Sequence, residues 1–126
     1  MILETIMLDS GLSITLLDQT LHYFGGYYHV KVMACCDIPL KQSYFENAAE
    51  YSHAMEKLGE TAMFERILEK MAVPESDIEA VRSQLTQDFY NTALAYLSVP
   101  DFAPRFVRGE YHKRVKKPTQ IRSARA

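Results

Sequence analysis

The longest helix-like stretch of the sequence, residues 76–98, most constrains what the chain can fold into. It reads SDIEAVRSQLTQDFYNTALAYLS, and Ser76 with Glu79 has the spacing of a capping box, in which each side chain bonds an amide of the first turn. Pro100 follows its end, where a helix cannot continue. Apolar residues recur at every third or fourth position, as on one buried helix face: Ile78, Val81, Leu85, Phe89, Ala93 and Tyr96. The stretch predicts one long core helix without a catalytic motif.

Length and composition predict one domain at residues 1–111, followed by a basic and mobile tail at residues 112–126. No apolar run approaches the roughly 20 residues of a membrane span, and the start MILETIMLDSG lacks the basic residues of a secretory signal. The two cysteines, Cys35 and Cys36, are neighbours that cannot link distant segments, which is typical of a reducing compartment. We therefore expect a cytoplasmic protein with no membrane partner.

The N-terminal residues predict a β-hairpin. Residues 2–8 and 12–18 flank Gly11, which can adopt the positive φ that a tight hairpin loop requires. Pairing the two runs with Ile6 opposite Ile14 places six aliphatic side chains on one face. They are Ile2, Ile6, Leu8, Leu12, Ile14 and Leu16.

A third strand is predicted at residues 27–37, after a glycine turn at residues 25–26. The side chains expected to face the core are Tyr28, Val30, Val32, Ala34 and Cys36. An uninterrupted hairpin at this turn would pair Leu16 with Cys35 and would place the apolar face of one strand on the polar face of the next. We therefore predict a β-bulge or a longer loop within residues 18–24.

The remainder of the domain is expected to be helical. Residues 43–58 have a capping spacing at Ser43 and Glu46, and residues 61–71 (TAMFERILEKM) separate apolar from charged side chains as an amphipathic helix does. With the helix at residues 76–98, the chain has three predicted helices. The sequence predicts an α+β fold, in which an N-terminal three-stranded antiparallel β-meander is followed by three helices packed on one sheet face.

Charge is distributed unevenly along the chain. Residues 1–104 contain 6 Lys and Arg against 15 Asp and Glu, whereas residues 105–126 contain 8 against 1. The side chains that could contact a polyanion such as a nucleic acid are Arg105, Arg108, Lys113, Arg114, Lys116 and Lys117. The acidic body would repel a nucleic acid. We therefore favour a solvated tail, or a tail that joins identical subunits through complementary charge, over a tail that binds nucleic acid.

The glycine turn is surrounded by aromatic residues, HYFGGYYH at residues 22–29, and forms a candidate contact surface. Tyrosine and phenylalanine are enriched at the cores of protein interfaces. The candidate contact residues are His22, Tyr23, Phe24, Tyr27 and His29. A strict hairpin would set His22 opposite His29 as two metal ligands, but no further ligand follows at a metal-binding spacing. We therefore predict no metal and no other cofactor.

No catalytic residue is predicted. His53 lies in the first predicted helix without a placed partner and is expected on a solvated face. Adjacent strand residues point to opposite faces, so Cys36 is expected to be buried and Cys35 nearer the surface, both as structural thiols. The sequence contains no P-loop, GxSxG or GxGxxG motif.

The order of the hairpin, the LGE of residues 58–60 and the LEKMAVPESDIEAVRSQL of residues 68–85 resembles small bacterial proteins of unknown function. The resemblance covers most of the chain, contains no catalytic motif and points to no characterised family. It implies no activity.

These observations favour a non-enzymatic binding or assembly module that forms a homodimer, although the fold class by itself selects no function. Two alternatives stay open. One is a nucleic-acid-associated protein that acts through the basic tail, and the other is a small enzyme or ligand-binding protein with a pocket between sheet and helices.

Overall fold

The computed structural model describes the backbone of residues 1–125 and the side chains of residues 1–115. The strands are β1 (Ile2–Met7), β2 (Ser13–Asp18), β3 (Leu21–Phe24), β4 (Tyr27–Pro39) and β5 (Thr61–Pro74). The helices are α1 (Ala48–Leu58), α2 (Ile78–Thr92), α3 (Leu94–Ser98) and α4 (Phe102–Arg125). The α+β class with an antiparallel sheet is confirmed, but the sheet has five strands rather than three.

The chain divides into two compact units. The first unit contains residues 1–36 and 64–99, and the second contains residues 37–63 and 100–126. Strands β4 and β5 contribute residues to both units. The single domain expected at residues 1–111 stays a prediction.

The first hairpin is confirmed. Ile6 pairs with Ile14, and the amide of Leu8 donates to the carbonyl of Leu12 at 2.8 Å across the turn. The expectation for Ile2 is wrong, because the register shifts between Ile2 and Glu4 and leaves the Ile2 side chain 63% exposed. A bulge exchanges the two faces of a strand, since side chains alternate with a period of two.

Of the two alternatives predicted before the glycine turn, a bulge or a longer loop, the structure has the bulge. Phe24 pairs with Tyr27, but Leu16 pairs with Ala34 rather than with Cys35, and the register shifts between His22 and Phe24. The extra residue brings the apolar faces of β2 and β4 together. We call the buried side chains of this face the inner face: Ile14, Leu16, Val30, Val32, Ala34 and Cys36.

The helix predicted at residues 61–71 is wrong, because these residues belong to β5, which pairs with β4. The amide of Leu40 donates to the carbonyl of Glu60 where the two strands meet. Ala62 and Phe64 are buried, whereas Met63, Ile67 and Met71 are exposed. An isolated helix of this length is marginal in water, whereas β4 offers a long row of backbone hydrogen bonds. The apolar residues fit both periodicities, so the pairing partner decides the structure.

The stretch at residues 76–98 is divided at Ala93 into α2 and α3, although Ala93 stays in the right-handed helical region, with φ of −106° and ψ of −29°. The predicted capping box is absent: Ser76 lies inside a 3-10 turn, Glu75–Asp77, and Asp77 caps α2 without a side-chain bond. The buried positions are Phe89, Ala93 and Leu97. Tyr96, expected to be buried, is 47% exposed because the buried stripe continues through Leu97 instead.

The second unit is mainly helical. Asn47, rather than Ser43, caps α1 by accepting a hydrogen bond from the amide of Glu50 at 2.8 Å. Helix α1 ends at Gly59, whose φ of 84° suits glycine. Helix α1 contacts α4, whose buried side chains are Phe102, Ala103, Val107 and Tyr111.

Helix α4 continues through residues 112–125, the segment expected to be a mobile tail. The described side chains of residues 112–115 are exposed. The mobility of this segment stays a prediction. No helix among the described residues has both the length and the hydropathy needed to cross a membrane.

Candidate functional sites

The sheet of the first unit has a second face, opposite the inner face, that carries an apolar row across neighbouring strands. Leu17 pairs with Ile2 on one side and with Met33 on the other. Ile67 of β5 shares this face, because it alternates with Glu69, whose carboxylate contacts His29 of β4. Leu17 and Met33 are half-buried, whereas Ile67 is 40% exposed. We call Ile2, Leu17, Met33 and Ile67 the outer row.

Charged side chains of both signs accompany the outer row on β4 and β5. His29 Nε2 lies 2.6 Å from Glu69 Oε1, and alternation along the strands places Lys31 and Glu65 on the same face. The outer face therefore combines an uncharged centre with charges of both signs.

The aromatic turn lies where β3 joins β4. Phe24 is 74% exposed, and Tyr23 and Tyr27 are also exposed. His22 is paired with Tyr28, not with His29, which is paired with Leu21. The two histidines therefore lie on opposite faces, and the bulge removes the two-ligand geometry that a strict hairpin would give.

A polar cavity of about 250 Å³ lies between the first hairpin and α2. Glu4 of β1 and Leu16 of β2 line one side, and α2 contributes four polar side chains: Arg82, Ser83, Thr86 and Gln87. Sequence reasoning missed this site, because Glu4 and Arg82 are 78 positions apart and no motif links them.

An ion pair beside the polar cavity fixes the guanidinium of Arg82. Arg82 Nη2 lies 3.0 Å from Asp18 Oδ2, and both side chains are largely buried. Asp18 Oδ1 accepts hydrogen bonds from the amide of Thr20 at 3.0 Å and from its hydroxyl at 2.6 Å. Burial raises the pKa of Asp18, but the hydrogen bonds from Thr20 and the charge of Arg82 outweigh it and leave the pKa below its ordinary value.

Arg82 Nε is a buried polar atom beside the polar cavity that has no hydrogen-bond partner among the described residues. Burial, a hydrogen bond with the Glu4 carboxylate and the charge of that carboxylate together raise the pKa of Tyr90 to about 12. Tyr90 is therefore a neutral donor at physiological pH. Buried polar atoms without partners are rare in folded proteins, and each one needs a physical reason.

A second cavity of about 450 Å³ lies between β5 and α2. Ala80, Val81 and Leu85 form its apolar part, and Lys70, Asp77 and Asp88 are among its polar lining residues. Both cavities are lined by residues of a strand and of α2. Neither is lined by a histidine or a cysteine.

The basic side chains of α4 that the structure describes all make contacts within the second unit. Arg105 pairs with Asp101 and Lys113 with Glu110, whereas Arg108 and Arg114 donate to the carbonyls of Tyr44 and Lys57. The side chains of Lys116 and Lys117 lie outside the described residues. The contacts of Arg108 and Arg114 connect α4 to residues 44 and 57, which lie before and at the end of α1.

The remaining histidine and cysteine candidates lie at least partly buried in the fold. His53 is half-buried and hydrogen-bonded to the hydroxyl of Tyr111, so the solvated face expected for it is wrong. Cys36 is buried and Cys35 is half-buried, as predicted, and they form no disulfide. Among the described side chains, no group of three His, Cys, Asp or Glu residues could hold a metal ion.

No family model matches the chain, and neither a curated protein nor a solved structure matches it. This result agrees with the expectation that the chain resembles no characterised family.

Proposed function

We propose that the protein is a non-enzymatic assembly module that forms a homodimer through the outer row of its sheet. The observation that carries the proposal is the apolar row itself, in which Leu17 lies between Ile2 and Met33 on adjacent strands. Exposed and contiguous apolar surface of this kind marks interaction sites, because its burial against a partner removes it from water.

A second copy of the chain is a suitable partner for this face. The first unit as a whole contains 4 Lys and Arg against 9 Asp and Glu, yet its outer face carries Lys31 and the His29–Glu69 pair beside acidic side chains. When two such faces meet, each therefore presents both positive and negative side chains, and the contact does not bring together two surfaces of like charge. Sheets that pack face to face bury the side chains of both faces in one layer.

The proposal includes packing of α2 on the inner face of the first unit. The ion pair between Arg82 and Asp18 supports it, as does the cavity that α2 shares with Leu16. A cytoplasmic location also belongs to the proposal, and it is supported by the half-buried thiol of Cys35, which forms no disulfide.

Light scattering of the full chain at micromolar concentrations tests the dimer. We expect a dimer for the natural sequence and a folded monomer for Leu17→Lys, because a buried lysine in the interface would be desolvated without a partner. Val99→Lys is the matched control, since Val99 is exposed and lies outside the sheet. A monomer at every concentration and salt tested, or equal dissociation by both variants, would contradict the proposal.

A further inference from the structure

Strand β5 forms an edge of the sheet at which a further strand can be added. Among the described strands, β4 is the only one paired with β5, so the other side of β5 has no strand neighbour. In an edge strand, alternate residues point their N–H and C=O groups away from the sheet. The side chains of residues 65–67 and 69–71 are exposed, in agreement with an edge that faces solvent. An extended peptide can pair with such an edge through its backbone.

The central residues of β5 divide their charges between the two sides of the sheet. Glu65 and Glu69 lie on the side of the outer row. Alternation places Arg66 and Lys70 on the opposite side, and the Arg66 guanidinium lies 5.8 Å from the centre of the ring of the buried Phe64. An isoleucine and a leucine separate the two pairs of charges along the strand. An added strand therefore meets acidic side chains on one side of the sheet and basic side chains on the other.

A second copy of β5 is a poor match for this edge. Two identical edges that pair antiparallel around a two-fold axis keep equivalent faces on the same side, so the pairing is centred on a residue. Centred on the isoleucine, it places Glu65 opposite Glu69, and centred on the leucine it places Arg66 opposite Lys70. Centred on any of these four charged residues, it places that residue opposite its own copy. Like charges directly opposite each other destabilise a sheet, so a different sequence is favoured as the partner.

A cavity beside β5 provides space for the side chains of an added strand. The cavity of about 450 Å³ lies between Lys70 and α2, and Val81 and Leu85 form part of its apolar lining. Its volume lies within the range of pockets that bind ligands. Alternate side chains of an added strand would lie beside Lys70, on the side of the sheet where this cavity is found.

We propose that the free edge of β5 binds an extended segment of another protein as an additional antiparallel strand. Hydrogen bonds between the two backbones provide the affinity, and the side chains select the sequence. Opposite charges stabilise a strand pair when they face each other. The segment therefore carries Lys or Arg opposite Glu65 and Glu69, Asp or Glu opposite Arg66 and Lys70, and apolar residues between them. The site lies at the edge of the sheet and does not depend on the proposed homodimer, which uses the outer row.

Fluorescence anisotropy of the labelled peptide VEKVVEKV with the full chain tests the proposal. Aligned antiparallel with residues 64–71, this peptide places an opposite charge across from each of the four charged residues of β5. We expect saturable binding with a Kd below about 1 mM. The control peptide VEKPVEKV should bind at least about tenfold more weakly, because proline removes a backbone donor and disfavours strand pairing. Amide chemical shifts of the isotope-labelled protein should change most at residues 65–71.

Variants of the protein test the charge pattern and separate it from dimer formation. Glu65→Lys places a lysine opposite a lysine of the peptide and should weaken binding at least about threefold, and the peptide VEKVVEEV should restore it. Glu79→Lys is the control, because it makes the same change of charge at an exposed position of α2 outside the cavity lining. It should change the Kd by less than about twofold. Leu17→Lys, which is expected to disrupt the dimer, should bind the peptide like the natural protein.

Three outcomes overturn the proposal. The first is the absence of saturable binding up to about 1 mM protein. The second is equal binding of the proline peptide, or equal behaviour of Glu65→Lys and Glu79→Lys with both charged peptides. The third is a set of chemical shift changes centred on the outer row or the aromatic turn instead of residues 65–71. Because Leu17→Lys separates the two surfaces, failure of the dimer and failure of the peptide site are distinguishable.

Discussion

The inner and outer faces of the first unit's sheet are built from the same strands, yet they differ in exposure. Leu16 is fully buried and Leu17, its neighbour in β2, is half-buried on the opposite face. The same contrast separates Val32 from Met33 in β4. The inner face therefore forms the core of the unit, whereas the outer row is the surface at which we propose that a second copy binds. Residue type cannot distinguish positions 16 and 17, because both are leucines.

The largest effect is expected at Phe89, the side chain of α2 that is 1% exposed. Phe89→Ala should lower the free energy of unfolding by about 3–5 kcal/mol, because burial is lost and a cavity is left. Chemical denaturation of both proteins measures the difference. A change below about 1 kcal/mol would mean that Phe89 does not contribute to the core of the first unit.

The two faces can be compared directly with one substitution at adjacent positions. Leu16→Ala should cost about 2–5 kcal/mol of unfolding free energy, whereas Leu17→Ala should cost less than about 1 kcal/mol in the monomer. Denaturation at low protein concentration keeps association out of the measurement. If both variants lowered the free energy of unfolding by similar amounts, the two faces would contribute equally to stability and the proposed difference between them would be wrong.

A smaller effect is expected at Asp18, which connects the end of β2 to α2. Asp18→Asn should cost about 1–3 kcal/mol at neutral pH, because Arg82 loses its charged partner. The folded-state pKa of Asp18 lies below that of the unfolded chain, so its stabilisation is present above the unfolded value of about 3.9 and is lost as the pH falls through the folded value.

Denaturation of both proteins between neutral and acidic pH tests this dependence. The difference in stability between natural protein and Asp18→Asn should shrink as the pH falls below about 4, and other carboxyl groups cancel in that difference. A difference that stays constant to low pH would show that the ion pair with Arg82 does not stabilise the fold.

The smallest effect on stability is expected outside both faces, on truncation after Tyr111. Removal of residues 112–126 deletes the contact from Arg114 to Lys57 and should lower the free energy of unfolding by less than about 1 kcal/mol.

Fluorescence anisotropy with labelled RNA and DNA should show no binding tighter than about millimolar near physiological salt, for either the full chain or residues 1–111, because the acidic part of the chain opposes it. Tight binding that depends on the tail and weakens steeply with salt would favour the nucleic-acid alternative instead.

Local pattern was sufficient for the register between β2 and β4. The alternation of β2 and β4, together with the requirement that their apolar faces meet, predicted a bulge or a longer loop within residues 18–24, and the structure has the bulge. The buried positions of β4 followed from the same alternation. Side chains in a strand alternate with a period of two, so no intermediate register exists. When the register imposed by a turn disagrees with the register that brings two apolar faces together, the sequence alone shows that a residue must be added.

The segment at residues 61–71 and the polar cavity were decided by tertiary structure. TAMFERILEKM fits a helix and a strand almost equally, and the hydrogen bonds offered by β4 select the strand. In the sequence Arg82 is one polar residue of a helix face, whereas in the fold it pairs with Asp18 and lines a cavity with Glu4, and both of these residues lie more than 60 positions away. Periodicity reports how a segment divides apolar from polar side chains, whereas the partner that each side chain meets is set by the packing of distant segments.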